Sequence, residues 1–151
     1  MKDNSPVTAY SGVKHFAVAE SYYNWSYNLG HVDERCTISS HRVAVDMLYV
    51  MPRWIDKERG GKRLVKYWEQ FEQNLWVHER GHGDIALAIG VELAKTIGET
   101  PPADDCAALK EDINARAKAS LKELSGKQRE YDRLTAHGAR QGAFFNVRDA
   151  K

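Results

Sequence analysis

The longest regular pattern of apolar and polar positions runs from Lys62 to Ile97. Large side chains recur there every three or four residues, at Leu64, Trp68, Phe71, Leu75, His78, His82, Ile85 and Ile89. This spacing places all of them on one face of an α-helix. The pattern therefore predicts a long helix from about Lys62 to Ile97, which Gly98 and the pair Pro101–Pro102 bring to an end.

A second apolar stripe predicts a further helical region that begins near Ala103. Its members are Cys106, Leu109, Ile113, Ala117, Leu121 and Leu124. Asp104 and Asp105 precede it, where carboxylates interact favourably with the positive end of a helix. The helical part of the chain is therefore expected to cover about residues 62–137.

Two continuations are open at Ser125–Gly126. Ser125 and Gln128 have the spacing of a capping box, which would start a separate helix that ends at Gly138. The apolar stripe also continues through Tyr131 without a jump in phase, and this favours one straight helix. A broken helix and a straight helix both agree with the pattern.

Residues 7–55 have the features of β-structure. Three segments are rich in aromatic or β-branched side chains, namely Val13–Ala19, Tyr22–Tyr27 and Cys36–Val50. Turn residues separate them at 28–30 and 32–34, and Pro52 follows the last segment. We expect a short N-terminal antiparallel sheet of about three strands, packed on the long helix and followed by the C-terminal helical region. The predicted fold class is α+β.

The composition narrows the classes of function. The 151 residues fit a single domain over 1–151, and their formal net charge is +1. No block of lysines and arginines is long enough to indicate nucleic-acid binding. No apolar run approaches the roughly 18–20 residues that span a bilayer. The N-terminus is polar, so no signal peptide is visible, although an exported protein without its leader would begin in the same way.

The strongest chemical motif lies on the predicted long helix. The run from His78 to His82 reads His-Glu-x-x-His. On a helix the two histidines face the same way, and they can bind one zinc ion at roughly 2.0–2.1 Å each, with Glu79 close to a zinc-bound water. The alternative is a pair of hydrogen-bonded core histidines, with Glu79 in a surface ion pair to Arg80 or Lys66.

A zinc site of this kind needs one more protein ligand. Catalytic zinc usually takes three protein ligands and leaves one position for water. His137, in the octet Tyr131–Gly138, is the favoured third ligand. This assignment predicts a break or a strong bend at Ser125–Gly126, because a straight helix would carry His137 past the motif and leave Glu123 as the nearest carboxylate.

These residues define a mechanism as a hypothesis. Zn²⁺ would be held by His78, His82 and His137, with water in the open position. Glu79 would act as the general base, and Tyr131, by analogy with other zinc peptidases, would donate to the oxyanion. The alternative for Tyr131 is a packing role.

Two aspartates could support the ligand histidines, and two glycines flank His82. Asp132 or Asp84 could hold the distal nitrogen of a ligand histidine, the alternative being a solvated carboxylate. Gly81 and Gly83 each cost roughly 1 kcal/mol relative to alanine inside a helix. We expect another backbone, a substrate or a turn to approach His82 closely at these glycines, with ordinary helix–helix packing as the alternative.

The aromatic segment at Tyr22, Tyr23, Trp25 and Tyr27 is expected to belong to the core and surface of the sheet. A substrate groove beside an edge strand is the alternative. The two cysteines, Cys36 and Cys106, are not in a Cys-x-x-Cys pair, so a thiolate zinc site is not expected. One disulfide and two buried free thiols agree equally well with their positions.

From about Val13 to Gln141 the chain resembles a bacterial family of predicted secreted zinc-dependent proteases, long catalogued as a domain of unknown function. Two motifs carry the resemblance: His-Glu-x-x-His on a long helix, and Tyr-Asp-x-x-Thr-x-His-Gly, which here begins at Tyr131 and ends at Gly138. The order of elements is also similar, with a cysteine in the sheet, Pro-x-Trp at Pro52–Trp54, the long helix and a second cysteine.

The resemblance implies zinc-dependent hydrolysis of peptide bonds in a protein or peptide substrate, on a zincin-type active-site helix. It implies a secreted or periplasmic protein and, with it, a disulfide between Cys36 and Cys106. Two other functions stay open. One is a non-enzymatic exported binding module with a structural or degenerate zinc site, and the other is a zinc hydrolase of cell-wall amide bonds. No oligomeric state is indicated.

Overall fold

The computed structural model describes residues 7–8 and 14–146, and it describes side chains from residue 16 onward. The regular elements in chain order are strands β1 (Val7–Thr8), β2 (Lys14–His15), β3 (Val18–Val32) and β4 (Arg35–Val50), followed by helices α1 (Lys62–Gly98), α2 (Cys106–Leu124) and α3 (Gly126–Thr135). Antiparallel strands precede a long helix and a C-terminal helical region, so the α+β prediction is confirmed. Within the described part of the chain, no helix combines the length and apolar character that crossing a membrane requires.

The main sheet is a hairpin of two long strands, β3 and β4. Asp33 and Glu34 connect them, with φ of 50° and 67°. Positive φ at both central residues is what a two-residue type I′ turn requires. β1 and β2 form a separate antiparallel pair, in which Val7 faces His15. The expectation of about three strands in one sheet is therefore wrong for the described residues, and Val13, where the first predicted strand begins, lies outside them.

The predicted turn at residues 28–30 lies inside β3 instead. The side-chain amide of Asn28 donates a hydrogen bond to Ser40 Oγ at 2.8 Å, and the hydroxyl of Thr37 donates to the carbonyl of Gly30 at 3.5 Å. Residues that are typical of turns are thus used as cross-strand partners, which composition alone does not reveal. β4 ends at Val50, shortly before Pro52, as predicted.

One compact unit contains residues Ser21–Asp46 and Asp84–Arg129. Its fully buried core consists of Cys36, Leu93, Ile97, Leu109, Ile113 and Ala117. Aromatic side chains of β3 pack against that core, and the indole of Trp25 donates to Asn114 Oδ1 at 3.0 Å. The core interpretation of these aromatic residues is confirmed for Tyr23, Trp25 and Tyr27.

Cys36 and Cys106 form a disulfide in the same unit. Cys36 also exchanges two backbone hydrogen bonds with Ala103, at 2.8 and 3.0 Å. The disulfide implied by the resemblance is confirmed, and the reading as two free thiols is wrong.

The second unit takes its described residues from the ranges 1–20, 47–83 and 130–151. Its buried core consists of Ala17, Phe71, Leu75 and Ala143, with Met51, Trp68 and Phe145 packed against it. Phe71 and Leu75 occupy the face of α1 that continues to His78 and His82. The packing that fixes this face in the protein therefore also fixes the direction of the two motif histidines.

The helices largely follow the predicted boundaries. α2 begins one residue after Asp105, whose carboxylate accepts hydrogen bonds from the backbone N–H groups of Ala107 and Ala108 at 2.7 and 2.8 Å. A helix boundary lies at Ser125, as the third-ligand assignment requires. The hydroxyl of Ser125 donates to the carbonyl of Lys122 at 2.8 Å, so it interacts with the end of α2.

α3 ends earlier than Gly138, the predicted end. Ala136, His137 and Gly138 have φ of 51°, 51° and 83°, which is left-handed backbone at three consecutive residues. Such φ values are uncommon for residues other than glycine. This turn removes His137 from the helix and directs the following segment, with its short 3₁₀ helix at Ala139–Gln141, back towards His78.

Candidate metal centre

The two motif histidines are close together on the inner face of α1. Their ring centroids are 4.9 Å apart. The side chain of His78 is 5% exposed and that of His82 is 12% exposed. The expectation that both point into the protein is confirmed, and their burial limits the groups that can reach them to a few neighbours.

Asp132 of α3 is the group that meets them. Its Oδ1 lies 3.4 Å from His78 Nε2 and 3.1 Å from His82 Nε2. The same oxygen lies 3.6 Å from Nδ1 of His137, whose side chain is 61% exposed. Donor atoms of His78, His82 and Asp132 all lie within 4.8 Å of one another, whereas His137 is not part of that set. The structure thus brings all three predicted histidines around one carboxylate oxygen.

Gln141 holds His78 from the other side. Nδ1–H of His78 donates to Gln141 Oε1 at 2.9 Å. In a neutral ring this bond leaves a lone pair on Nε2, which faces a negatively charged oxygen of Asp132. Two groups of this kind need a positive charge between them, either a proton or a metal cation. Imidazole nitrogens and a carboxylate are ligands that zinc accepts, so the donor set fits the predicted ion.

Tyr131 lies against both histidine rings. Its ring stacks on His78 at 5.1 Å with an interplanar angle of 11°, and it meets His82 edge-on at 4.9 Å. Its hydroxyl donates to the backbone carbonyl of His78 at 3.2 Å and accepts from Gln141 Nε2 at 3.1 Å. Tyr131 therefore fixes the orientation of the imidazoles in this state, and its predicted contact with an oxyanion stays a prediction.

The two glycines beside His82 have a direct explanation. A Cβ at Gly81 would collide with the hydroxyl of Tyr131, and a Cβ at Gly83 would collide with that of Tyr49. Both collisions involve side chains that approach the helix backbone closely. Tyrosine side chains make this approach, as in the packing alternative, and not a backbone or a turn.

Glu79 is buried beside the histidines, with 4% of its surface exposed. Burial raises its pKa above the usual value, and the neighbouring His78 and His82 offset part of that rise. Its neighbour Arg80 lies over the ring of Trp76 at 5.6 Å. A carboxylate buried to this degree does not have the environment of a surface ion pair, so the general-base interpretation of Glu79 fits its surroundings better.

A match to a family model shows to which family the chain belongs. Residues 1–138 match a family described as "Bacterial protein of unknown function (DUF922)". The chain belongs to this family. No curated protein and no solved structure matches the DUF922 chain. The site geometry is therefore the main evidence on its chemistry.

The other candidate carboxylates of this DUF922 chain differ in their exposure and in their contacts with the histidines. Asp84, the alternative supporting residue, and Glu123, the alternative ligand, are exposed. Burial alone would raise the pKa of Asp132, but its hydrogen-bond contacts with His78 and His82 hold its pKa well below the usual value. Asp132 thus stays ionised in the metal-free protein.

Gln141 is the site residue that the sequence did not reveal. It follows the left-handed turn, and two glycines with positive φ, Gly138 and Gly142, flank its short 3₁₀ segment. Asn74 of α1 donates to the carbonyl of Gly142 at 3.1 Å and so fastens that segment to the helix. The glycine spacing was the available signal for a turn that returns to α1.

A second cluster of side chains of the types that bind metals lies at the two cysteines of the DUF922 chain. His31, Cys36 and Cys106 have donor atoms within 4.8 Å of one another, and His31 Nε2 lies 3.7 Å from Cys106 Sγ. The two sulfurs are bonded to each other, so they offer no thiolates for a metal. We therefore assign this cluster to the disulfide.

Proposed function

We propose that this protein is a zinc-dependent hydrolase of peptide bonds. One observation carries the proposal: three imidazoles surround a single oxygen of Asp132, and the buried Glu79 is next to one of them in the chain. Convergent imidazoles with an adjacent buried carboxylate are the arrangement that amide hydrolysis by an activated water requires.

Each residue has a defined task in this proposal. His78 and His82 present Nε2 as ligands, and Gln141 keeps the proton of His78 on Nδ1 so that Nε2 stays available. Bound zinc would supply a Lewis acid that polarises the scissile carbonyl and lowers the pKa of a bound water. Glu79 takes a proton from the attacking water and returns it to the leaving amine. Tyr131 stays a candidate donor to the oxyanion, and for this its hydroxyl must leave the carbonyl of His78.

The exposure of the site supports an enzyme over a non-enzymatic binding module. A structural zinc site is closed by four protein ligands, whereas a catalytic site keeps one position open. The side chains of His137 and Asp132 are 61% and 29% exposed, whereas those of His78 and His82 are 5% and 12% exposed. A substrate can therefore approach from the side of His137.

The disulfide supports the proposal that the protein acts outside the cytoplasm. Structural disulfides form and persist mainly in oxidising compartments, such as the bacterial periplasm and the exterior. Cys36 is fully buried in a core to which both strand and helix residues contribute. We therefore propose a secreted or periplasmic protein that acts on protein or peptide substrates.

Glu79→Gln is the direct test of the proposed chemistry. The variant should retain one zinc ion per chain and lose hydrolysis of an unfolded protein substrate, because glutamine cannot accept the proton of water. Zinc content by atomic emission and release of labelled peptides measure the two effects. Glu92→Gln, an exposed glutamate of the same helix, is the matched control and should behave as wild type. Full hydrolysis by Glu79→Gln, or none by the zinc-loaded wild type on any peptide substrate, would reject the proposal.

A further inference from the structure

We infer that Asp132 is the third metal ligand and that His137 lies outside the ligand set. This inference rests on the proposed zinc site, but it changes the assignment of the residues in it. Asp132 was expected to support a ligand histidine from behind, and His137 was expected to bind the ion. The contacts in the structure assign these two residues differently.

The ring nitrogen of His78 that Asp132 contacts shows on which side of the ring Asp132 lies. A carboxylate that only orients a ligand histidine holds the nitrogen that points away from the metal. In His78 that nitrogen is Nδ1, which donates to Gln141 at 2.9 Å. Asp132 Oδ1 instead lies 3.4 Å from Nε2 of the same ring. Asp132 is therefore on the metal side of His78, and the outer position is already taken by Gln141.

The distances agree with a shared coordination sphere. Two donors that each bind tetrahedral zinc at roughly 2.0–2.1 Å are about 3.3–3.4 Å apart. Asp132 Oδ1 is 3.4 Å from Nε2 of His78 and 3.1 Å from Nε2 of His82. These separations are those of neighbouring ligands around one ion, so little movement is needed for all three atoms to bind it.

His137 lies close to Asp132 but does not belong to the set of neighbouring donor atoms. Its Nδ1 approaches the oxygen of Asp132 at 3.6 Å, but its donor atoms do not join the set within 4.8 Å of His78 and His82. Its side chain is mostly exposed and follows the left-handed turn. Two histidines and one carboxylate form a known set for catalytic zinc with an open water position.

The affinity of the full-length protein for zinc tests the assignment. Asp132→Ala should raise the Kd for Zn²⁺ by more than about 100-fold, which exceeds the 10–100-fold loss typical of outer partners. Gln141→Leu supplies that outer-partner benchmark in the same protein. His137→Ala should change the Kd by less than about threefold, because it removes no ligand and only an exposed neighbour that lies 3.6 Å from Asp132. Competition with a chromophoric chelator measures all the variants.

Cobalt(II) gives a second readout that does not depend on activity. The visible spectrum of the Co²⁺ form should be unchanged in His137→Ala and altered in Asp132→Ala, since only a ligand changes the coordination sphere directly. Asp132→Asn, which preserves the shape of the side chain, replaces Asp132→Ala if circular dichroism shows that the alanine variant is unfolded. It should also bind zinc much more weakly than wild type.

The outcomes separate the possible arrangements. A loss in His137→Ala equal to or larger than that in Asp132→Ala would overturn the inference, as would an Asp132→Ala loss no larger than that of Gln141→Leu. If the wild type binds zinc through Asp132 but hydrolyses no peptide bond, the inference stands and the proposed function fails. If the wild type binds no zinc, both fail.

Discussion

At the level of single residues, the pKa values of two carboxylates in the site are shifted in opposite directions. Burial raises the pKa of Glu79, whereas hydrogen bonds from His78 and His82 outweigh burial and lower that of Asp132. A lowered pKa stabilises the fold at pH values above the unfolded pKa. A raised pKa stabilises the fold at low pH, and that contribution is lost as the pH rises through the folded value. The two groups are therefore prepared for different roles, an ionised ligand and a proton acceptor.

Glu79→Gln should make the metal-free protein more stable at neutral pH. Burial disfavours the ionised form of Glu79 that the unfolded chain carries at this pH, and glutamine removes that cost. The gain should shrink as the pH falls towards 4.5, the ordinary pKa of this group, because the wild-type carboxyl is then protonated in the folded state. Thermal melting in the presence of a chelator, between pH 4 and pH 8, measures the difference.

The same melting series on Glu92→Gln serves as the control for this prediction. Glu92 is exposed, so the substitution should shift the melting temperature little at any of these pH values. A Glu79→Gln variant that is less stable than wild type at pH 7, or that differs from it equally at every pH, would contradict the assigned burial cost.

At the level of single elements, the start of α2 depends on one side chain. Asp105 accepts hydrogen bonds from two backbone N–H groups of the first turn, at 2.7 and 2.8 Å. These groups have no partner within the helix. The neighbouring Asp104 has a different environment: its nearly fully exposed carboxylate lies 3.5 Å from Arg35. Two adjacent aspartates thus differ in what they contribute.

Asp105→Ala should lower the free energy of unfolding by about 1 kcal/mol, the usual contribution of an N-cap. Asp104→Ala should lower it by less than about 0.5 kcal/mol, because exposed ion pairs contribute little. Urea denaturation of both variants beside the wild type makes the comparison. Equal losses in the two variants would show that the cap at Asp105 is not what stabilises the start of α2.

The sequence was informative where one periodic pattern covered a whole element. The stripe from Leu64 to Ile89 predicted α1 almost to the residue, because a 3.6-residue period repeated over many turns is hard to imitate. The hairpin was predicted in part. The turn predicted at residues 32–34 is confirmed, with Asp33 and Glu34 as its central residues, whereas Asn28 and Gly30 have turn chemistry but lie within β3. Cross-strand pairing decided between these sites, and it depends on residues distant in the sequence.

The candidate site was also predictable only where its residues lie on one regular element. His78, Glu79 and His82 could be recognised because they lie on one helix and their spacing alone fixes their geometry. The contact with Asp132 and the hydrogen bond from His78 to Gln141 needed more. They depend on a left-handed turn that includes Ala136, a residue type with no preference for positive φ. No local pattern indicates such a turn.

At the level of the whole molecule, one covalent bond closes a long segment of chain. Cys36 and Cys106 are separated by 70 positions in the sequence. A cross-link over that distance removes many conformations from the unfolded chain, and this stabilises the folded state in the chain-entropy model. Cys36 is also fully buried in the core, so its replacement affects packing as well.

Reduction of the disulfide should lower the free energy of unfolding by about 4 kcal/mol, as expected for a loop of this length. Urea denaturation with and without a dithiol reductant measures the loss. A double substitution of both cysteines by alanine should give a loss at least as large without reductant, because replacing the buried Cys36 also affects packing. An unchanged unfolding midpoint after complete reduction would contradict the prediction.

The hydrogen bond from His78 to Gln141 has a practical consequence for work on related proteins. The family match stops at residue 138, yet the amide that holds this imidazole comes three positions later. A fragment trimmed to the family boundary would keep every motif histidine and lose the residue that sets the proton position of His78. An inactive trimmed fragment would then be mistaken for proof that the family has no catalysis.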